Sequence, residues 1–321
     1  MNTDRRPAFA ALTAAGLLWG TTVPASRLAL EWLAPAWLTF ARFGLAAAVL
    51  LAGAGARSRA RAACTPAVLA WGAAGYGGTI IVQNAGIART SVSHAALLVG
   101  ATPVLVAIIA ACWHRQVARP VAWAGFAVSL AGVGLVAAGP GGGATVRGDG
   151  LVLASLLLSA TFTVAQGRLL RGRDPVAVTA AQFLAAAVAT APVALVTEGM
   201  PAAPSGSGAL LATIGLAGAG TLLPFTLFAY GQSRVSAEIA GAFLNLEPLV
   251  GATAGVVVFG DPAGPLQILG GAAILVGIAL SSLPLLAAGR TGPRAGPGRG
   301  TPPSSAGGQV SRPGPATSWP G

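Results

Sequence analysis

A single acid sits deep in an apolar stretch. Glu247 lies within 236–259, a run long and apolar enough to span a bilayer, and Pro248 follows it at once. At about 1.5 Å rise per residue, the carboxyl is roughly 16 Å along the run, about half of a ~30 Å hydrocarbon core. Proline has no N–H to donate, so the carbonyl of Leu244 loses its usual helical partner. A carboxyl and a loose carbonyl at one depth are costly in lipid and belong in a bundle interior or a wet cavity. There Glu247 reads as a proton-coupling or substrate-contacting carboxyl; the plain alternative is a structural carboxyl bonded to a neighbouring helix. Gly251 and Gly255 follow on the same helical face and suit close helix packing.

Other groups offer complementary chemistry. Arg42, about six residues into an apolar run, could hold a substrate carboxylate bidentately or pair with a structural acid. Arg27, nearer an interface, suits snorkelling. Pro103 frees the carbonyl of Val99, and Pro103 and Pro248 read as paired hinges or as static kinks tolerated by packing. Trp19, Tyr76 and Phe183 are candidates for an aromatic cavity wall. Thr22, Gln83, Asn84, Thr102, Gln182, Tyr230 and Asn245 are the remaining cavity candidates. Glu238 lies near the end of its run, within reach of headgroups. His94 reads as an interfacial residue or a proton relay. The sequence offers no metal-ligand cluster, nucleophile–base pair or P-loop; Gly139–Gly143 lacks the Lys-Ser/Thr ending. No cofactor is expected, and the energy for work must come from an ion gradient, the substrate's own gradient or a partner.

These groups need helices to hold them. Of 321 residues, 54% are hydrophobic and only 8% charged, against about 25% charged in a soluble domain. That marks an all-α membrane protein. The net charge of +11 invites a nucleic-acid reading. It fails because the arginines sit in short loops between apolar runs, where topology accounts for them. Ten such runs fall at roughly 8–30, 36–53, 66–87, 92–113, 120–138, 150–170, 176–197, 207–230, 236–259 and 265–288. With the N-terminus inside, fifteen arginines fall on the cytoplasmic side; Arg27, Arg42, Arg89 and Arg147 are the four that do not. The bias puts both termini in the cytoplasm. Arg5-Arg6 before the first run mimics a secretory signal, but the repeat described next needs that run as a retained helix. Cys64 and Cys112 read as free thiols.

The chain repeats itself. Pro103, Gly125 and Gly132 recur as Pro248, Gly270 and Gly277 at an offset of 145; Pro35 and Phe43 recur as Pro175 and Phe183 at 140. Arg42 then matches Gln182, and Thr102 matches Glu247. Five runs per half is an odd number, so the second half enters from the opposite side. The expectation is ten transmembrane helices as two inverted five-helix repeats, 8–139 and 150–288. A linker at 140–149 joins them, and 289–321, rich in Gly, Pro and Ser, forms a disordered cytoplasmic tail.

Leu18-Trp19-Gly20-Thr21-Thr22, Pro35 with Ala41-Arg42-Phe43, Ala101-Thr102-Pro103 and Leu246-Glu247-Pro248, in this order, resemble the EamA family of the drug/metabolite transporter superfamily. The resemblance covers about 8–288. It implies ten helices in two five-helix repeats that move small metabolites or drugs across the plasma (inner) membrane, commonly outward. Members often carry a Glu after helix 4 and after helix 9; here those places hold Trp113-His114-Arg115 and Gly260-Asp261. The expected function is therefore a secondary transporter, an exporter working by alternating access, not an enzyme. Its partners are a small-molecule substrate and the lipid bilayer. Scattered polar groups without a repeated acid–base pair count against an intramembrane enzyme acting on a lipid-linked group. Few continuous polar faces count against a channel or receptor.

Overall fold

The computed structural model describes residues 5–53, 55–114, 120–138, 143–204, 206–235, 240 and 243–290, and among them every regular element is helical. Helices α1 (Arg5–Trp19) and α2 (Thr22–Ala29) lead into α3 (Pro35–Ala52), the short α4 (Ala56–Ala63) and α5 (Pro66–Trp71). A π-helical turn, Gly72–Gly78, joins α5 to α6 (Thr79–Ile87). Then come α7 (Val92–Val99), α8 (Thr102–His114), α9 (Pro120–Ala138), α10 (Val146–Leu169) and α11 (Pro175–Glu198). A second π-helical turn, Gly218–Leu222, joins α12 (Ser207–Ala217) to α13 (Leu223–Gln232). A 3-10 turn, Phe243–Leu246, leads into α14 (Glu247–Phe259), and α15 (Pro265–Arg290) closes the order.

Among the described residues six helical segments are long and apolar enough to cross a membrane, and a seventh, Ala56–Ala63 with Pro66–Ile87, is bent by 99° at its break. Shorter apolar helices are Trp123–Val136, Val250–Phe259 and Pro265–Gly277. Their outward residues are apolar, as Val49, Val188, Val196, Val257 and Ile268 are. Several expectations fall outside the described residues: Glu238, linker residues 139–142, Arg115, Arg119, the tail from 291 on, and the side chains of Pro103 and Asn245.

Helix starts follow local chemistry. Pro35, Pro66 and Pro175 each take the first turn, where a missing N–H costs nothing. Side chains of Thr65, Ser91, Thr145 and Asp174 cap their own helices by accepting backbone N–H bonds, each worth about 1 kcal/mol. The α3 start is capped from a distance. Glu198, at the end of α11, accepts from the Ala36 and Trp37 amides at 2.9 and 3.0 Å.

Pro103 and Pro248 occupy the second positions of α8 and α14, just after breaks. They start helices rather than kink continuous ones, because a first-turn proline forfeits no intrahelical bond. The two breaks touch: a Cβ on Gly100 would lie 3.0 Å from Pro248 Cβ. Helix α14 runs along α7, with Gly251 against Ala96 and Gly255 against Ser93, so the expected small-residue face is a packed one. The most extensive helix–helix contact among the described residues joins α9 to α15. There a Cβ on Gly132 would lie 2.6 Å from the Gly270 carbonyl oxygen, and one on Gly277 would strike the Gly125 carbonyl. Helix α3 packs on α11, where Phe43 and Phe183 have ring centroids 5.3 Å apart.

Candidate functional site: a cavity with two separated charges

The interior holds a cavity of about 800 Å³ including its mouth, with walls from both halves of the chain. Three helices present the same spacing to it. Tyr76, Thr79, Ile80 and Gln83 line one wall, Ser159, Phe162, Thr163 and Gln166 a second, and Phe225, Phe228, Ala229 and Gln232 a third. Each set is i, i+3, i+4, i+7, one face of a helix. Each stripe mixes apolar residues with one terminal glutamine, so mean hydropathy hides it.

The cavity gathers seven of the sequence candidates: Trp19, Thr22, Arg42, Tyr76, Gln83, Thr102 and Glu247. Four others do not line it. Asn84 turns to the Thr39 hydroxyl at 3.1 Å. Gln182 exchanges two 2.8 Å amide hydrogen bonds with Gln166. Phe183 is buried behind the wall with Phe43 and Tyr76. Tyr230 lies beneath Arg234, whose guanidinium carbon is 3.6 Å from its ring centroid.

Arg42 is 2% exposed and is held from one side. Its Nε donates to the Thr221 hydroxyl at 2.8 Å and its Nη2 to the Gly220 carbonyl at 3.1 Å. Both partners belong to the π-helical turn in 207–232, where the widened ladder presents a carbonyl that a regular α-helix would use internally. Among the described residues no hydrogen bond is made by the Nη1 edge. Glu247, 9% exposed, lines the same cavity, accepts no hydrogen bond from the described residues and feels the charge of Arg42. No ion pair within 4.0 Å joins them; among the described residues that distance is met by His94 and Asp149 alone. Thr79 Oγ1 and Gln232 Oε1, also in the wall, are buried without partners. Around these groups stand aromatic rings: Trp19 is 4.8 Å from Phe225 and 5.1 Å from Phe228, and Tyr76 is 4.6 Å from Phe162.

Two opposite charges, both secluded and both incompletely satisfied, can receive a ligand that carries both complements. Isolated buried charge costs several kcal/mol. Among the described residues no cluster of three His, Cys, Asp or Glu could hold a metal.

Comparison with known proteins gives four likenesses. The profile described as the EamA-like transporter family matches residues 6–138 and again 146–283. A protein of Streptantibioticus cattleyicolor named a probable terminal-alkyne amino-acid exporter is 26% identical over 273 residues, 84% of this chain and 91% of that one. A protein of Archaeoglobus fulgidus named only as an uncharacterized transporter is 36% identical over 74 residues, 23% of this chain and 27% of that one. A solved crystal structure superposes with a TM-score of 0.68 at 23% identity, covering 89% of this chain and 100% of the other; this is a likeness of fold.

Proposed function

Because the chain belongs to the EamA-like transporter family, we propose that it is an inner-membrane secondary exporter that binds a small amino-acid-like zwitterion between Arg42 and Glu247. The observation that carries this reading is the pair itself: two buried ionisable groups of opposite sign on one cavity, with no ion pair to either among the described residues. The Nη1 edge of Arg42 takes the substrate carboxylate, and Glu247 takes the ammonium. Trp19, Phe162, Phe225 and Phe228 receive an apolar side chain. The relative named as a probable terminal-alkyne amino-acid exporter supports this class.

Transport proceeds by rocking of two inverted five-helix repeats, 8–139 and 150–288, about the cavity. Two profile matches of similar length support the division. The glycine contacts support a two-fold relation. Gly132 meets Gly270 while Gly125 meets Gly277, so each glycine touches the mate of the other, as an isologous contact requires. Ten spans with both termini cytoplasmic follow from the arginine pattern. Substrate shifts the equilibrium only as far as it binds the two states differently. Glu247 exchanges a proton for substrate ammonium and so couples export to the proton gradient.

The test is counterflow in proteoliposomes with labelled leucine or phenylalanine, their decarboxylated amines and their deaminated acids. Only the zwitterions exchange on this reading. Equal exchange of the amine or the acid would overturn the two-charge site. Glu247→Gln moving substrate as fast as the unaltered protein, with an unchanged response to a pH gradient, would remove Glu247 from coupling.

A further inference from the structure

A second buried polar group lies away from the cavity, at the end of the bundle where α7, α10 and α15 begin. His94, expected near the interface, is fully buried. Partners distant in sequence take it in. Its Nδ1 lies 3.1 Å from Asp149 Oδ2 on α10, and its Nε2 lies 3.1 Å from Gln267 Nε2 on α15. Thr90 donates to the other oxygen of Asp149.

Hydrogen-bond logic fixes the protons. Gly264 N–H donates to Gln267 Oε1 at 2.6 Å, the back-bond of a capping box from the third helical residue to the cap. The amide NH₂ of Gln267 must then face His94, and Nε2 of His94 must accept. Nδ1 therefore carries the ring proton and donates to Asp149, which accepts twice as a carboxylate should. A proton added at Nε2 would set two donors against each other. Turning Gln267 over would relieve that clash only by facing its NH₂ to the Gly264 N–H and losing the cap. Protonation thus tightens His94 to Asp149, on α7 and α10, and breaks the tie from α7 to α15. The next residue doubles the same tie: Ser93 N–H donates to Asp261 Oδ2 at 2.7 Å from the loop before α15. A surface hollow bounded by Ser93, Pro262 and Gln267 opens beside this point.

We propose that His94 is a proton-binding site whose occupancy latches or releases the start of α15 from α7. Asp149 from α10 is the titratable group bonded to it, and Asp261 lies beside it on Ser93. Arg27, Arg89 and Arg147 line a neighbouring hollow at the rim. Helices α6 and α9 contribute no titratable side chain, and α14 contributes Glu247 alone, at its far end. Across the two halves, the proton acts as a ligand of the packing between α7 and α15.

The experiment reads the latch without substrate, so its outcome and that of the exporter reading are independent. Cys64 and Cys112 are replaced by Ser, and spin labels are placed at Ala88 and Ala263, both exposed. Pulsed electron resonance then records the distance in full-length protein at about pH 8 and about pH 5.5, spanning the range in which imidazole titrates. The distribution is expected to gain a longer component at the lower pH with His94 intact and not in His94→Gln. Gln267→Glu should reverse the response, since its carboxylate accepts from a protonated Nε2 and holds the short distance at low pH. A pH-independent distribution with His94 intact would overturn the proposal. So would a response that survives in His94→Gln, or release in Gln267→Glu like that of the unaltered chain. Should His94→Gln fail to fold, Gln267→Glu alone decides.

Discussion

Arg42 on α3 and Gln182 on α11 stand at matched places in the two halves and meet different surroundings. Arg42 faces the cavity, braced by the Gly218–Leu222 turn. Gln182 turns away and closes an amide pair with Gln166. The same contrast recurs at the offset of 145. Thr102 spends its hydroxyl on the Val99 carbonyl at 2.7 Å, whereas Glu247 presents a carboxyl with no donor among the described residues. By that offset Tyr76, in the first π-helical turn, matches Thr221 in the second. Residues that set helix starts and helix contacts are alike in the halves: Pro35 and Pro175, Phe43 and Phe183, Pro103 and Pro248, Gly132 and Gly277. Residues that carry charge into the cavity are not. A frame can be duplicated because packing asks the same volume on both sides. A site for an asymmetric ligand needs different ends.

The sharpest way to break this contrast is to make the halves chemically equal. Arg42→Gln should weaken zwitterion binding by about 30-fold or more, the roughly 2 kcal/mol or above expected when one member of a buried charge arrangement is removed. Titration calorimetry of purified protein checks it. Next comes the shared frame. Gly132→Ile and Gly277→Ile should each destabilise the bundle by about 1–3 kcal/mol through overpacking, and by similar amounts, seen as a lowered Tm in detergent; one harmless and one ruinous substitution would break the two-fold pairing. Thr221→Val removes one brace of Arg42 while leaving the charge, and a lost hydrogen bond to a charged group is worth about 1.5–3 kcal/mol. Its measured affinity should fall between that of the unaltered protein and that of Arg42→Gln. Smallest is the effect of Gln182→Leu on binding, expected within about two-fold, because Gln182 itself does not line the cavity. Its cost falls on stability, about 1–3 kcal/mol for the Gln166 amide left unpaired.

How far the residues announced these roles depends on the range of the interaction involved. The apolar runs follow from local composition, and helices lie over them; only the first part of 236–259 falls outside the described residues. Pro248 beside Glu247 was legible as a break because proline acts through its own backbone. Facing was less legible. Asn84 and Gln182 are as polar as Gln83 and Gln166, but which side of a helix meets the cavity is set by the neighbour packed on the other side. The stripes Ser159–Phe162–Thr163–Gln166 and Phe225–Phe228–Gln232 were readable at helical spacing, yet their aromatic content blends into the apolar background. The partners of His94 lie 55 and 173 residues away, and no local pattern marks such a pairing.

By itself, the sequence determined a membrane-embedded helical chain, a repeated set of prolines and glycines, and one acid deep within an apolar run. Those follow from transfer free energy and backbone chemistry, which each residue carries wherever it sits. Only the tertiary structure decided that Arg42 and Glu247 share a cavity without neutralising each other, that Arg42 leans on a π-helical turn, and that His94 is buried against Asp149 and Gln267. Those are distances between groups on different helices, and they exist only once the helices have chosen which faces to bury.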